Sequence, residues 1–187
     1  MIEDDHLGLL APGRLHTTVA GTGSWAATRS VAKALGPDLR LAVLAGDELT
    51  VARVQGRQQC GPGWVSHILQ QLVLGLWNDP AVVALIGRAG ATYAARRERF
   101  LRALARRGLR ASGRSGLNVW IPVDDETATV GALLQRGWVV APGAAYRLEG
   151  SAPAIRVTIA SLSGEEAERL AEDLRDVLLS GPVGRAA

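Results

Sequence analysis

Short apolar segments bounded by turn residues alternate along this chain with longer segments in which apolar residues recur at helical spacing. Segments 25–29, 39–45, 117–123 and 154–160 have the length and apolar character of strands. Between the second and the third, residues 64–77 repeat apolar side chains at helical spacing, which predicts an amphipathic helix. Alternation of strands with helices favours an α/β layer structure. With 187 residues and 48% hydrophobic content, the chain has material for one large domain or two small ones.

Residues that cap exposed backbone groups mark the predicted ends of the helices. The longest helix is predicted to begin at Asp79 and Pro80, because proline at the first helical position lacks only an N–H that would be unpaired anyway. This helix is predicted to stop at Gly108. The remaining predicted boundaries are N-caps at Asp47 and Asp124, a capping box at 163–166, and a last helix ended by 181–182.

Lys33 is the only lysine in a chain that otherwise takes its positive charge from arginine. An amine that is desolvated can lose its proton near neutral pH and then attack a carbonyl carbon, which a guanidinium cannot do. Lys33 is predicted to lie on a loop just after the 25–29 strand, and strand ends of this kind bind ligands in open α/β sheets. Ser30 and Arg40 flank it, so a hydroxyl and a guanidinium could bind a phosphate beside the amine. This combination suggests a phosphorylated aldehyde as the ligand.

The segment around Lys33 resembles the lysine segment of fold-type-I pyridoxal-phosphate (PLP) enzymes, in which Ser-x-Ser-Lys is followed by Pro-x-Leu-Arg. The corresponding residues here are Ser30, Ala32 and Lys33, followed by 37–40. The resemblance implies that Lys33 forms a Schiff base with PLP, while Ser30 and Arg40 bind the PLP phosphate. Ala32 departs from the pattern, because the family often has a second serine at that position.

Two further segments resemble the same family, in the family's order. Residues 2–6, Ile-Glu-Asp-Asp-His, resemble its Glu-Asp-Asp-Tyr motif, so Asp4 would face the pyridine nitrogen of PLP and hold it protonated. His6 stands where the family has the tyrosine that faces the phenolic oxygen. The strand at 154–160 resembles the one whose arginine binds the substrate carboxylate, which makes Arg156 the candidate for that role.

Together these segments make the chain similar to the C-terminal part of a class I/II aminotransferase, of the kind fused in MocR/GntR-type bacterial transcription regulators. The resemblance implies part of a PLP-binding large-domain sheet in 1–60, interdomain helices in 61–108 and a small C-terminal α/β domain in 109–187, joined by a long helix. Two functions are compatible with it. One is a regulator domain that senses an amino acid or amine. The other is the C-terminal portion of a free-standing aminotransferase that transfers an amino group between an amino acid and a 2-oxo acid.

The distribution of charged and apolar residues limits which partners the chain is expected to bind. The net charge is only +3, and the basic run at 96–107 alternates with alanine and leucine on a predicted helix, which favours a solvated helix face over a nucleic-acid surface. The resemblance to MocR/GntR-type regulators implies that DNA is bound only through an N-terminal domain absent from this chain. A homodimer is expected, because unpaired strand edges and the apolar face of 64–77 favour association.

Several features argue against other classes of protein. No apolar run approaches the ~20 residues of a membrane span, and the single cysteine, Cys60, cannot form an internal disulfide, so a cytoplasmic location without membrane contact is expected. A metal site is not expected, since the sequence has neither an HExxH motif nor a cysteine pair. The Gly-x-Ser-x-Gly motif of serine hydrolases is also absent.

Overall fold

The computed structural model describes residues 1–11, 17–19, 21 and 23–179. The chain forms two compact units, Met1–Ala91 and Thr92–Ala187, and the division falls within the longest helix. Strands and helices alternate along the chain, as the sequence predicts for an α/β protein. The functional boundaries expected at 60 and 108 stay predictions, because they concern cofactor binding rather than compactness.

The first unit contains a three-stranded sheet and the start of the longest helix. Its elements in chain order are β1 (Ile2–Asp5), a 3-10 turn (Gly8–Leu10), β2 (Ala26–Ser30), α1 (Ala32–Leu35), β3 (Ala42–Gly46), α2 (Glu48–Gln59), α3 (His67–Asn78) and the first part of α4 (Pro80–Arg106). The strand order is β1-β2-β3, with β1 parallel and β3 antiparallel to β2. Because β1 and β2 are parallel, their carboxyl-terminal residues, Asp5 and Ser30, lie at the same end of the sheet.

Helix boundaries in this part of the chain follow the predicted capping chemistry. The carboxylate of Asp47 accepts a hydrogen bond from the backbone N–H of Thr50, and that of Asp79 accepts one from Ala81. The helix α4 ends just before Gly108, whose φ of 74° is typical of a glycine that ends a helix. These three boundary predictions are confirmed.

Three local predictions for the first unit are wrong. Lys33 lies in the short helix α1 rather than on a loop, because the Val31 carbonyl accepts two N–H groups of the next turn. The strand β3 begins at Ala42, since 39–41 form tight backbone hydrogen bonds of their own. The helix α3 begins only after its N-cap Ser66, so the apolar residues before it lie outside the helix.

The helix α3 leaves most of its apolar side chains exposed. Ile68, Leu72 and Leu74 are exposed, whereas Val73 is buried. Within the described residues, no single helix is long and apolar enough to cross a membrane, although α3 and α4 as a bent pair reach that threshold by length and composition.

The second unit, where it is described, contains a separate sheet and three helices. Its elements are the rest of α4, β4 (Asn118–Pro122), α5 (Glu126–Gln135), β5 (Ala141–Pro142), a 3-10 turn (Gly143–Ala145), β6 (Ala154–Thr158) and α6 (Gly164–Leu179). The strand order is β4-β6-β5, antiparallel throughout. Val119 and Ile121 of β4 and Ile155 and Val157 of β6 are buried, so Arg156 faces away from the core.

The core of the second unit is built from one face of this sheet and the apolar faces of its helices. Phe100 and Leu104 of α4, Leu133 of α5 and Leu174 of α6 are fully buried in it. Removal of this apolar surface from water makes the largest favourable contribution to the folding free energy of the unit.

Helix caps in the second unit agree with the sequence at one helix and differ at another. The capping box is confirmed, because the Ser163 N–H donates to the Glu166 carboxylate while the Glu166 N–H donates to the Ser163 hydroxyl. The helix α5 is capped by Asp125, not by the predicted Asp124, since it is the Asp125 carboxylate that accepts the N–H of the third residue on. The predicted end of the last helix at 181–182 lies outside the described residues.

Candidate functional site

A cavity of about 440 Å³ lies at the carboxyl ends of β1 and β2. Asp4 of β1 lines the cavity, and so does His6, which directly follows β1. Ser30, Lys33 and Arg40 line it from the second strand and the segment that follows. All five side chains that the sequence singles out in the first unit therefore meet at one place. Their individual roles stay predictions.

Local backbone geometry brings these residues together. The strand β2 ends at Ser30 and the single helical turn α1 follows at once, so Lys33 stays next to the strand end. Gly36 then adopts a φ of 131°, a conformation that residues with a side chain rarely adopt. The chain returns through Arg40 to β3, whose first residue, Ala42, pairs with Ser30.

Two neighbours hold the carboxylate of Asp4. Thr28 Oγ1 donates a hydrogen bond of 2.6 Å to Oδ1, and His6 Nε2 lies 3.0 Å from Oδ2. The hydrogen bond from Thr28, followed by the one from His6, lowers the pKa of Asp4 below its usual value. Asp4 is therefore a carboxylate at neutral pH, the state required to pair with a protonated ring nitrogen.

Sequence reasoning misses Thr28. The parallel register places it beside Asp4, and it lies two residues before Ser30, on the same face of β2. The position of Thr28, two residues before Ser30, is a signal in the sequence. Alternate residues of a strand lie on one face, so Thr28 and Ser30 face the same side of the sheet.

Asp5 has a different task from its neighbour Asp4. Its Oδ1 accepts the backbone N–H groups of Leu7 and Gly8, and its Oδ2 lies 3.3 Å from Arg29 Nε. Because successive side chains of a strand point to opposite faces, only one of two adjacent aspartates can face the cavity. Asp4 is the one that does.

Lys33 and Arg40 are exposed, and neither has an ion-pair partner in the part of the chain that the structure describes. Ser30 Oγ accepts the Ala32 N–H at 3.3 Å, which leaves its hydroxyl proton for another acceptor. Two cations and a hydroxyl are suitable donors for a phosphate, and the Asp4 carboxylate suits a protonated pyridine nitrogen. The residues present therefore fit PLP. No group of three His, Cys, Asp or Glu side chains that could hold a metal ion occurs among the described residues.

Arg156, the sixth predicted site residue, belongs to the second unit. It lies on β6 between Trp120 of β4 and Ala141 of β5. Its guanidinium carbon is over the Tyr146 ring, 3.9 Å from the ring centroid. Its Nε atom is buried and has no hydrogen-bond partner among the described residues. Sequence reasoning misses Tyr146, because it lies in an irregular segment ten residues away with no periodicity to relate the two.

Comparison with known proteins identifies the family. The model of the aminotransferase class I and II family matches residues 7–174, and the chain belongs to this family. The vitamin B6 salvage pathway transcriptional repressor PtsJ of Salmonella typhimurium LT2 is 38% identical over 180 residues. That match covers 95% of this chain and 42% of the repressor. The resemblance found in the sequence is confirmed.

Solved structures confirm the fold. LysN, an α-aminoadipate aminotransferase from Thermus thermophilus solved in complex with N-(5'-phosphopyridoxyl)-L-leucine, matches with a TM-score of 0.75 and 20% identity, over 95% of this chain and 49% of that chain. An aminotransferase from Mycobacterium tuberculosis matches with a TM-score of 0.78 and 22% identity, over 96% of this chain and 49% of that one. The chain therefore has the fold of about half of a PLP aminotransferase.

Proposed function

We propose that this chain is part of the PLP-binding, aminotransferase-like domain of a MocR/GntR-type transcription regulator that senses an amino acid or amine. The observation that carries the proposal is the convergence of Asp4, His6, Ser30, Lys33 and Arg40 on one cavity. The 38% identity to a transcriptional repressor supports a regulator. Because the chain spans less than half of that relative, the activity of the whole protein is part of the proposal.

Each of these side chains has a task that its chemistry allows. Lys33 would supply the amine that bonds to the aldehyde carbon of PLP, with the aldehyde oxygen leaving as water. Arg40 offers a fork of N–H donors to the phosphate, and Ser30 offers its hydroxyl proton. Asp4 would keep the proton on the pyridine nitrogen. When bound, PLP supplies an electron sink next to the amine of an effector or substrate.

His6 gives the site a feature that differs from the usual family pattern. Its Nε2 is 3.0 Å from the Asp4 carboxylate, the group that would face the pyridine nitrogen. In this arrangement Nε2 of His6 contacts Asp4 and is not free to contact the phenolic oxygen of PLP. The contact that tyrosine makes in the family is one means of tuning the reactivity of the cofactor.

The expected partners follow from the same proposal. DNA would be bound through an N-terminal domain outside this chain, and the protein would act in the cytoplasm without membrane contact. A homodimer is part of the proposal, because α3 exposes Ile68 and Leu72, which lie one turn apart on one face, and exposed apolar surface favours association.

A second candidate is a free-standing class I/II aminotransferase that transfers an amino group between an amino acid and a 2-oxo acid. The state of Arg156 is compatible with this candidate, since a guanidinium without a carboxylate partner among the described residues suits an α-carboxylate. In that case Lys33 would also carry a proton between substrate atoms.

Experiments on the complete gene and its product distinguish the two candidate functions. We expect the reading frame before residue 1 to encode a winged-helix domain, and the affinity of the gene product for its own promoter to change about fivefold or more when an amino acid or amine effector is added. Lys33→Arg is the matched variant, because it keeps the charge but cannot attack an aldehyde. It should bind the promoter with unchanged affinity and lose the response. A gene product that lacks a DNA-binding domain and transaminates a 2-oxo acid would overturn the regulator.

A further inference from the structure

Arg156 is a half-buried cation whose described surroundings engage only one face of the guanidinium. The guanidinium carbon lies 3.9 Å from the Tyr146 ring centroid, while Nε is buried and unpaired within the described chain. A buried N–H without an acceptor is unfavourable, so an anion that reached it would be stabilised. Contact through the face leaves the in-plane N–H groups free, which is the arrangement that binds a carboxylate through two hydrogen bonds.

Tyr146 is not held in this position by burial of its own side chain. It is 54% exposed, and it follows the 3-10 turn Gly143–Ala145. Its backbone N–H donates to the Gly143 carbonyl at 2.8 Å. The position of the ring therefore depends on what holds that turn.

The buried carboxylate of Glu126, the first residue of α5, holds the turn. Its Oε2 accepts the Ala144 N–H at 2.8 Å, and its Oε1 accepts Arg147 Nε at 3.0 Å, so the tyrosine is fixed on both sides. The same Oε1 accepts the Ala154 N–H at 3.0 Å, two residues before the arginine. One side chain thus connects the segment that carries the ring to the strand that carries the guanidinium.

The ionised state of Glu126 and the close packing of the turn support this connection. The hydrogen bond from Ala154 is the main cause that lowers the pKa of Glu126, and those from Ala144 and Arg147 contribute, so the group is a carboxylate at neutral pH. Gly143 lies directly against β6, because a Cβ at this position would collide with the Ala154 carbonyl oxygen. The turn is therefore packed closely against the start of β6.

We infer that Tyr146 and Glu126 are positioning residues that hold the Arg156 guanidinium ready for the carboxylate of an amino-acid ligand. The inference rests on the proposed role of Arg156 and extends it to two residues outside every motif in the sequence. A guanidinium whose face is already fixed loses less side-chain freedom when it binds, so its affinity for a carboxylate rises. The site would favour amino acids over amines that lack a carboxylate.

The test measures carboxylate binding at Arg156 in the full 187-residue chain. Acetate is the probe, exchanged for chloride at constant ionic strength, and the Nε–H signal of Arg156 in a nitrogen–proton NMR spectrum is the readout. Arg156→Lys identifies the signal by removing it. In the unaltered chain, the signal should shift with acetate and saturate.

Variants of the two positioning residues give the decisive comparison. Tyr146→Ala should weaken acetate binding about threefold, because the cation–π contact and the fixed orientation are lost, while Tyr146→Phe should change it by no more than about 1.5-fold. Glu126→Gln should weaken it about threefold although the ring remains, since a neutral amide cannot accept all three N–H groups. Trp138→Ala is the matched control, because it removes the ring 5.6 Å from a different cation, Arg169, and should leave acetate binding unchanged.

The outcomes separate this inference from the proposed function. If acetate saturates the Arg156 signal and both Tyr146→Ala and Glu126→Gln bind it as the unaltered chain does, the positioning role is wrong while Arg156 keeps its own. If the unaltered chain shows no shift at Arg156, the carboxylate role fails and the positioning role fails with it. Should Glu126→Gln not fold, Tyr146→Ala still decides the matter, because the Tyr146 side chain is exposed.

Discussion

The second unit buries one face of its strands β4 and β6, whereas the first unit leaves most of its sheet accessible. Ile121 of β4 and Ile155 of β6 are 0% exposed and pack with Phe100 of α4. In β3 of the first unit, by contrast, Val43 is 48% exposed and no residue of the strand is buried. Both sheets have three strands, so the difference lies in what covers them.

This contrast indicates that the buried core and the cavity with Lys33 lie in different units of the chain. The described residues of the first unit leave one edge of β1 and one edge of β3 unpaired, and few of their apolar side chains are buried. The cavity with Lys33 is in this unit. Regions with few buried contacts open more easily, and ligand sites are often found in them. Arg156 lies in the second unit, which has the extensive core.

The largest effect that tests the contrast is a core truncation. Phe100→Ala should cost about 3–5 kcal/mol of unfolding free energy, because it leaves a cavity in a packed core. Val43→Ala in the exposed strand is the matched control and should stay within about 0.5 kcal/mol. Denaturant unfolding followed by residue-specific NMR measures both. A cost for Val43→Ala close to that for Phe100→Ala would show that the first unit is packed as tightly as the second.

The next effect is the difference in local opening between the two sheets. Paired backbone amides of β6 should exchange with solvent at least about tenfold more slowly than those of β3, because opening β6 exposes a buried core. Native-state hydrogen exchange read by NMR gives both rates in one sample. Equal protection of the two strands would remove the contrast.

A smaller effect concerns pH and is confined to the first unit. Hydrogen bonds from Thr50, followed by the backbone N–H of Trp25, lower the pKa of Asp47 from 3.8 to about 2. Because the pKa is lowered in the folded state, ionised Asp47 stabilises the unit above pH 3.8, and this contribution is lost as the pH falls towards about 2. Asp47→Asn should therefore reduce stability at neutral pH and show a smaller loss on acidification.

The measurement is unfolding of Asp47→Asn and of the unaltered chain across this pH range, followed at a β2 amide and a β6 amide. Asp38→Asn is the control, because the Asp38 side chain is exposed. A stability difference between Asp47→Asn and the unaltered chain that is the same at both ends of the range would contradict the assigned cause.

Much of the candidate site could be predicted from the sequence because its parts are short and local. Lys33, Ser30 and Arg40 fall within eleven residues, and the turn chemistry of 36–38 already indicated that the chain reverses there. Their convergence with Asp4 required the additional fact that β1 and β2 are parallel.

The remaining features depend on contacts between residues that are distant in sequence. The sequence does not reveal Thr28, because its hydrogen bond to Asp4, 24 residues away, arises from the pairing of the two strands. The sequence does not reveal Glu126, because its three hydrogen-bond donors are 18 to 28 residues away. Asp124 and Asp125 could not be separated as N-caps by residue type, since both are aspartates and only the backbone conformation decides which carboxylate reaches the helix.

The central claim is that Lys33 is the covalent attachment site for PLP, and one measurement tests it directly. The product of the complete gene is loaded with PLP, reduced with borohydride, digested with trypsin and mapped by mass spectrometry. We predict a reduced phosphopyridoxyl group on a peptide spanning 30–40, uncut at Lys33 because the modified side chain no longer resembles a free lysine. The Lys33→Arg variant should carry no label on this segment. Bound PLP that leaves its label on another residue, or no label on any, would contradict the account.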